Sequence, residues 1–173
     1  LVADTNVEDF PSSERLVEIS KSCVRVSKLF GFDPKVAFLS HSTFGKPISR
    51  NTKHVRDAID ILKNEKADFD FDGEMQPDVA LNPIYQEVYP FSKIVGRANI
   101  LIMPALHSAA ISTKLMKSFG GAKLIGPLLI GLDLPIEVAP LRSSTSDILN
   151  LASIAAYSAC LLYTSPSPRD KSS

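Results

Sequence analysis

Residues 40–46 carry the clearest potential for ligand chemistry in this sequence. They read Ser-His-Ser-Thr-Phe-Gly-Lys and directly follow the apolar run at 36–39. Their hydroxyls, backbone N–H groups and lysine ammonium suit a phosphate, a pyrophosphate or an acyl carbonyl, although they match neither a Walker loop nor a dinucleotide fingerprint. The alternative is a solvated loop whose hydroxyls satisfy its own backbone, and spacing alone does not separate the two. The candidate ligand-binding residues are Ser42, Thr43, Gly45 and Lys46.

A second candidate anion site lies directly before the last predicted helix. Residues 142–147 read Arg-Ser-Ser-Thr-Ser-Asp. An arginine and several hydroxyls at a helix N-terminus can bind an anion. The alternative is an ordinary helix cap with Asp147 in the first turn. Arg142 and Asp147 are the candidate residues here.

Two further groups of polar residues have structural interpretations that we favour over catalytic ones. Asp72, Glu74 and Asp78 could perform acid–base chemistry or hold a divalent ion. Such a cluster more often forms a turn and a helix N-terminus, where negative charge is stabilised. His107 and Ser108 could act as base and nucleophile. Adjacent residues rarely form such a pair, however, so we favour helix capping for them.

Cysteine and histidine are too scarce for a disulfide framework or a tetrahedral metal site. The chain has two cysteines and three histidines. Cys23 falls on the apolar face of a predicted helix, where a small buried hydrophobe is expected. His54 is placed on an exposed helix face and is given no function. The sequence therefore predicts no metal ligand and no catalytic residue in this chain.

Composition and charge exclude several classes of protein. The 173 residues are 45% hydrophobic and 22% charged, which is an ordinary globular balance. Nineteen basic residues offset nineteen acidic ones, so no net field would hold nucleic acid. The longest apolar stretches are too short, and too interrupted by Pro or Gly, to span a membrane. Because an initiator Met and a leader are lacking, we expect no secretory signal and a start inside a longer reading frame.

Apolar periodicity predicts the helices that position these residues. The first helix has Ser12 as its N-cap and ends at Gly31, and the second has Thr52 as its N-cap. Others are predicted at 108–119 and 145–160, with a short one opening at Asn82. The predicted apolar faces are Leu16, Ile19, Cys23, Val26 and Phe30, then Val55, Ala58, Ile59 and Leu62, then Ile111, Leu115 and Phe119. The last helix is apolar nearly all round, which predicts burial against a sheet or a partner subunit.

Strand patterns alternate with these helices. The wholly apolar run at 36–39 fits a strand that is covered on both faces. A short extended segment is predicted at 1–5, and further strands are predicted at 69–72, 99–103, 124–130 and 136–139. This alternation indicates an α/β layered architecture with a largely parallel sheet, in which ligands bind at the carboxyl ends of the strands. Residues 161–173 contain a Ser- and Pro-rich run that we interpret as a disordered or non-native tail, so the domain is placed at 1–160.

Several segments together resemble the phosphate acetyl/butyryl transferase family. They lie at 2–7, 36–45, 72–81 and 126–132, and the resemblance covers residues 1–160 in order. It corresponds to the later part of that family's domain. The segment at 97–114 is most similar to the C-terminal domain of hybrid, NADP-dependent malic enzymes of bacteria. The resemblance implies a three-layer α/β/α fold of the type shared with isocitrate and isopropylmalate dehydrogenases.

The resemblance also implies a function. In that branch the domain is regulatory and oligomerising and binds acetyl-CoA, for which the two candidate sites above supply the ligand-binding residues. Malate oxidation, with NADP and a divalent metal (Mg or Mn), belongs to a separate N-terminal domain of the same cytoplasmic chain. Transferases of the family carry a Ser-Arg pair where Pro140 and Leu141 stand here, while Asp147 falls on their functional acidic residue. Arg142 lies one position late for that pair.

Three functions follow as alternatives. The absence of a hydroxyl and a cation at 140–141 favours the regulatory, acetyl-CoA-binding module of a malic enzyme over a fragment of a phosphate acetyltransferase. A third alternative is a purely structural dimerisation module, which the apolar last helix would suit. In each case we expect self-association as homodimer or higher oligomer, and neither nucleic acid nor membrane as a partner.

Overall fold

The computed structural model describes residues 1–4, 7–119, 124–132 and 134–164. The chain divides into two compact units, Leu1–Phe119 and Gly120–Ser173. The strands are β1 (Val2–Ala3), β2 (Lys35–Leu39), β3 (Asp70–Met75) and β4 (Ile100–Ile102). The helices are α1 (Ser13–Leu29), α2 (Lys53–Asn64), α3 (Pro77–Leu81), α4 (Leu106–Phe119) and α5 (Thr145–Thr164), with 3₁₀ turns at Arg50–Thr52 and Pro83–Glu87.

The first unit is built on a parallel sheet with strand order β1-β4-β2-β3. The central strand β2 is covered on both faces, as its apolar run at 36–39 predicts, because Val36, Ala37 and Phe38 are all 0% exposed. Side chains of one face join a core with α1 and α2, and those of the other face pack with Ala80 of α3 and Ala109 of α4. The α/β architecture with a parallel sheet is thereby confirmed.

The helix α2 forms as its periodicity predicts, with all four residues of its predicted apolar face buried. The N-cap of α1 is also confirmed, since the Ser12 hydroxyl accepts a hydrogen bond from the Arg15 N–H at 3.2 Å. The predicted face of α1 is wrong in part. Its buried side includes Ser20 and Ser27, whereas Phe30 is exposed. Small hydroxyl residues can occupy this side because the Ser20 hydroxyl donates to the Val17 carbonyl at 2.7 Å.

The buried thiol of Cys23 gives a test of this core. Burial raises the pKa of Cys23 to about 11. Between the ordinary thiol pKa and this value, the unfolded chain loses the proton and the native chain keeps it, so the free energy of unfolding falls as pH rises. We expect a fall of about 2 kcal/mol across this window that Cys23→Ala does not share. Urea titrations at several alkaline pH values measure it, and parallel curves for the two proteins would contradict it.

The second unit departs from its predicted strands. Residues 124–130 and 136–139 form no strand in the structure. Pro127 has no N–H to donate to a ladder, and the Leu129 N–H donates instead to the Glu137 carboxylate at 3.0 Å. Neither residue therefore offers its backbone N–H to a neighbouring strand.

The helix α5 begins at the predicted residue but continues past the predicted end at Cys160, so the domain boundary at 160 cuts through a helix. The rest of the predicted tail, 165–173, lies outside the described residues. Leu151 is buried as predicted, whereas Ile148 and Leu149 are exposed within this chain. Among the helices that the structure describes, none combines the length and apolar character that crossing a membrane requires.

Candidate functional site

A cleft of about 420 Å³ lies at the carboxyl edge of the sheet in the first unit. Its lining includes Leu39 at the end of β2 and Met103 directly after β4. Thr52, just before α2, and Ser108, in the first turn of α4, also line it. Parallel α/β sheets bind their ligands outside the carboxyl ends of the strands, so this cleft is the candidate site.

All three histidines of the chain line this cleft. His41 follows β2, His54 lies in α2 and His107 lies in α4. Among the described residues that line the cleft, none is an acid, a lysine or an arginine. The cleft therefore offers hydroxyls, imidazoles, one amide and apolar surface, which suits the uncharged part of a ligand better than a bare dianion.

His54 was predicted on an exposed face, and that prediction is wrong. The side chain is half-buried, and its Nε2 donates to the Pro104 carbonyl at 3.0 Å. Its ring centroid lies 4.3 Å from that of Phe10. The imidazole therefore connects α2 to the segment after β4 at the edge of the cleft. Sequence periodicity could not reveal this contact because Pro104 is 50 residues away.

His107 and Ser108 do not act on one another. The Ser108 hydroxyl donates to the Ala105 carbonyl at 2.7 Å, which is a local bond at the start of α4. This favours the structural interpretation of Ser108 over that of a nucleophile. His107 is exposed and lines the cleft.

The predicted ligand loop ends in a tight two-residue turn. The N–H groups of Thr43 and Lys46 donate to each other's carbonyls at 3.0 and 3.1 Å. Phe44 and Gly45 between them have φ angles of 48° and 80°. A turn with positive φ at both central residues is of type I′, and glycine adopts it without strain.

Most hydroxyls of this loop serve its own structure. Ser42 is fully buried and donates to Glu74 Oε1 at 2.6 Å. The Thr43 hydroxyl, also buried, accepts from the Gln76 N–H at 3.2 Å. Lys46 is exposed and Gly45 is partly so. The structure thus leaves Gly45 and Lys46 accessible to a ligand, while Ser42 and Thr43 shape the loop from within.

Two of the three acidic residues, Asp72 and Glu74, lie within strand β3. The predicted strand at 69–72 ends at Asp72, but β3 continues through Glu74 to Met75. Asp72 accepts bonds from the Gly73 and Lys93 N–H groups, and Asp78 lies in the first turn of α3. No group of three Cys, His, Asp or Glu side chains among the described residues is arranged to hold a metal ion.

Arg56, which sequence reasoning missed, is the ionic partner of Glu74. Its Nη1 lies 3.0 and 3.1 Å from the two carboxylate oxygens. The pair joins α2 to β3, and no local motif links two residues 18 positions apart. The only available signal was a polar residue beside the apolar face of a predicted helix, which solvent exposure explains equally well.

The predicted anion site of the second unit forms a helix cap. The Ser144 N–H and hydroxyl donate to the Asp147 carboxylate at 3.0 and 2.7 Å. The Asp147 N–H donates back to the Ser144 hydroxyl at 3.2 Å. This is the reciprocal arrangement of a capping box, with aspartate in place of glutamate. Arg142 is exposed just before it.

The family model of the Phosphate acetyl/butaryl transferases matches residues 1–156 of this chain. The chain belongs to this family. It is 49% identical over 159 residues to an NADP-dependent malic enzyme of Rhizobium meliloti, covering 92% of this chain and 21% of that protein. It is 35% identical to a phosphate acetyltransferase of Bacillus subtilis, covering 89% of this chain and 48% of that protein.

Solved structures of the family share the fold. A phosphotransacetylase from Streptococcus pyogenes superposes with a TM-score of 0.86 at 35% identity, over 92% of this chain and 49% of that one. The chain thus spans about half the length of phosphotransacetylases and about a fifth of the malic enzymes that it matches. The family resemblance predicted from the sequence, including its malic enzyme branch, is confirmed.

Proposed function

We propose that this chain is the regulatory, acetyl-CoA-binding and oligomerising domain of an NADP-dependent malic enzyme. The observation that carries the proposal is the 49% identity to a malic enzyme, against 35% to a phosphate acetyltransferase. Pro140 and Leu141, which lack the hydroxyl and the cation of the family's transferases, support the same choice. The alternative is a fragment of a phosphate acetyltransferase, which moves an acetyl group between CoA and phosphate.

The cleft and the adjacent loop suit two different parts of acetyl-CoA. Since the described lining residues carry no fixed charge, the uncharged acyl and pantetheine end is the part that we assign to the cleft. Lys46, exposed at the nearby turn, supplies a cation for the phosphates. Arg142 is the candidate cation of the second unit, whereas the Asp147 carboxylate is engaged in a helix cap.

The catalytic cofactors of such a parent belong outside this chain. Since the chain spans only 21% of the malic enzyme that it matches, we assign the divalent metal (Mg or Mn) and NADP to a separate N-terminal malic enzyme domain. That domain would carry out the oxidative decarboxylation of malate to pyruvate. We further infer that the fold is of the isocitrate and isopropylmalate dehydrogenase type, which the parallel sheet packed on both faces supports.

Self-association is part of the proposal. The predicted apolar face of α4, formed by Ile111, Leu115 and Phe119, is exposed in this chain. An exposed apolar face of this kind favours a protein partner, and we assign it to a second copy of the parent. Sedimentation velocity of the full-length, cytoplasmic parent tests this, and a single monomeric species would contradict it.

Charge reversal at Lys46 tests the ligand. In the full-length parent, we expect Lys46→Glu to weaken acetyl-CoA binding by about tenfold, because a carboxylate replaces the cation assigned to the phosphates. The malate KM is expected to stay unchanged. Lys63→Glu, which reverses an exposed lysine at the far end of α2, is the matched control. Calorimetry measures the affinity; equal values for parent and Lys46→Glu exclude this phosphate contact, and no binding by the parent contradicts the proposed function.

A further inference from the structure

Glu74 occupies an irregular position in the sheet beside the cleft. Phe38 of β2 pairs with Gly73 of β3, but the next residue, Leu39, pairs with Met75. Glu74 is therefore an extra residue, a β-bulge in the edge strand β3 where it pairs with the central strand β2. Bulges redirect a side chain and occur often next to functional sites.

The redirected carboxylate is removed from water and fully partnered. The Glu74 side chain is 0% exposed and the Arg56 side chain is 33% exposed. Arg56 contacts both carboxylate oxygens, and the Ser42 hydroxyl donates to one of them. A buried ion pair often stabilises a fold no better than apolar residues of similar volume, and fixing one geometry is a role that such pairs have in some proteins.

Arg56 extends this network to Thr52, a residue that lines the cleft. Its Nη1 donates to the Thr52 hydroxyl at 2.6 Å and its Nη2 to the Ser49 carbonyl at 3.0 Å. Thr52 was predicted as the N-cap of α2 but makes no side-chain capping bond. Its hydroxyl instead donates to the Ser49 carbonyl and accepts from Arg56. The Thr52 side chain thus binds Arg56 of the ion pair and does not cap α2.

The other end of the network reaches the loop after β2. The Ser42 hydroxyl lies 3.2 Å from that of Ser40. Ser40 and Thr52 are the two ends of the network, and both line the cleft. A continuous chain of charged and hydroxyl groups therefore joins two walls of the cleft through Glu74 and Arg56.

We propose that Glu74 and Arg56 are positioning residues that hold these two walls of the cleft in a fixed relation. The wall formed by Ser40 and His41 is held through Ser42, and the wall formed by Thr52 and His54 is held through Arg56. Neither residue of the pair is among the residues that line the cleft. Only the identity of the ligand, acetyl-CoA, rests on the proposed function; the positioning role rests on the contacts above.

The three histidines are natural probes of this role. In NMR spectra of the 173-residue chain, recorded for all variants at one pH, their ring Hε1 resonances report the surroundings of each imidazole. We expect Glu74→Gln and Arg56→Lys to shift the resonances of His41 and His54, which lie on the two held walls. His107, which the network does not contact, is expected to stay in place. Lys63→Gln, which removes a surface ion pair from the same helix, should move none of them.

The outcomes separate positioning from general stability. Arg56→Lys keeps the positive charge at a partly exposed position, so we expect this variant to fold. It therefore tests the positioning role even if Glu74→Gln does not fold. Unmoved His41 and His54 resonances in a folded variant would overturn the proposal. So would equal movement of all three histidines, which would indicate a general loss of packing.

Ligand affinity provides the second measurement. By calorimetry in the full-length parent, we expect acetyl-CoA to bind both variants at least tenfold more weakly than it binds the parent and Lys63→Gln. Unchanged affinity in a variant with shifted histidines would overturn the link between wall position and binding. If the parent itself binds no acetyl-CoA, the proposed function fails, while the histidine spectra still decide the positioning role.

Discussion

Replacing Gly73 with alanine is expected to destabilise the chain by about 3–5 kcal/mol. A Cβ at this position would lie 2.7 Å from the Phe38 carbonyl oxygen and 3.2 Å from Ile59 Cδ1. The φ angle of 148° is one that glycine alone adopts easily. Because Phe38 is fully buried in the central strand, neither strand can move away without opening the core.

The matched control is Gly45→Ala. Gly45 also has a positive φ, 80°, but an added Cβ would meet no atom within 4 Å. Only backbone strain remains there, so the expected loss is about 1–2 kcal/mol. Urea unfolding followed by circular dichroism measures both variants. Equal losses would show that the approach of β3 to β2 at Gly73 is not as tight as the structure has it.

The sequence predicts the scaffold well where burial is regular. β2 is apolar from Val36 to Leu39 and lies between two layers, and α2 repeats its apolar residues at helical spacing against one core. In both cases the residue types follow directly from which faces are covered. The start of α5 is likewise announced by its capping residues, Ser144 and Asp147.

The sequence misleads where one residue has a non-local partner. Asp72, Gly73 and Glu74 are typical of a turn, and β3 was therefore predicted to end too early. The strand continues because the bulge directs Glu74 to Arg56 and because the Lys93 N–H binds Asp72. Neither partner is close in sequence, so a local sequence pattern does not predict these contacts.

For the candidate site, the location could be predicted from the sequence but several of its residues could not. Its place at the carboxyl edge of the sheet follows from strand order and could be expected from the α/β pattern. His54 could not be assigned to it, because its inward position depends on Phe10 and Pro104. Conversely, Ser42 has the chemistry of a ligand-binding residue, but its hydroxyl is used by Glu74.

The second large effect concerns catalysis. We expect the full-length parent to form acetyl phosphate from acetyl-CoA and phosphate at least about 10³-fold more slowly than the phosphate acetyltransferase of Bacillus subtilis. Removal of a single group that stabilises charge in a transition state costs about 10²–10³ in rate, and here both members of the Ser-Arg pair are replaced. Such losses are not additive, so the expected minimum is a factor of about 10³ and not the product of two separate losses. Pro140 and Leu141 are both exposed and provide neither group.

A coupled assay of CoA release, run on both proteins side by side, measures this difference. The full-length parent is the right sample, because the chain spans only 48% of that acetyltransferase and an inactive piece would prove little. Turnover within tenfold of the acetyltransferase would contradict the regulatory assignment and favour the alternative. The double variant Pro140→Ser/Leu141→Arg then locates the cause: if it raises turnover, the parent is otherwise competent for transfer and lacks only that pair. If it stays inactive, further groups are missing, as expected for a site that binds acetyl-CoA without reacting with it.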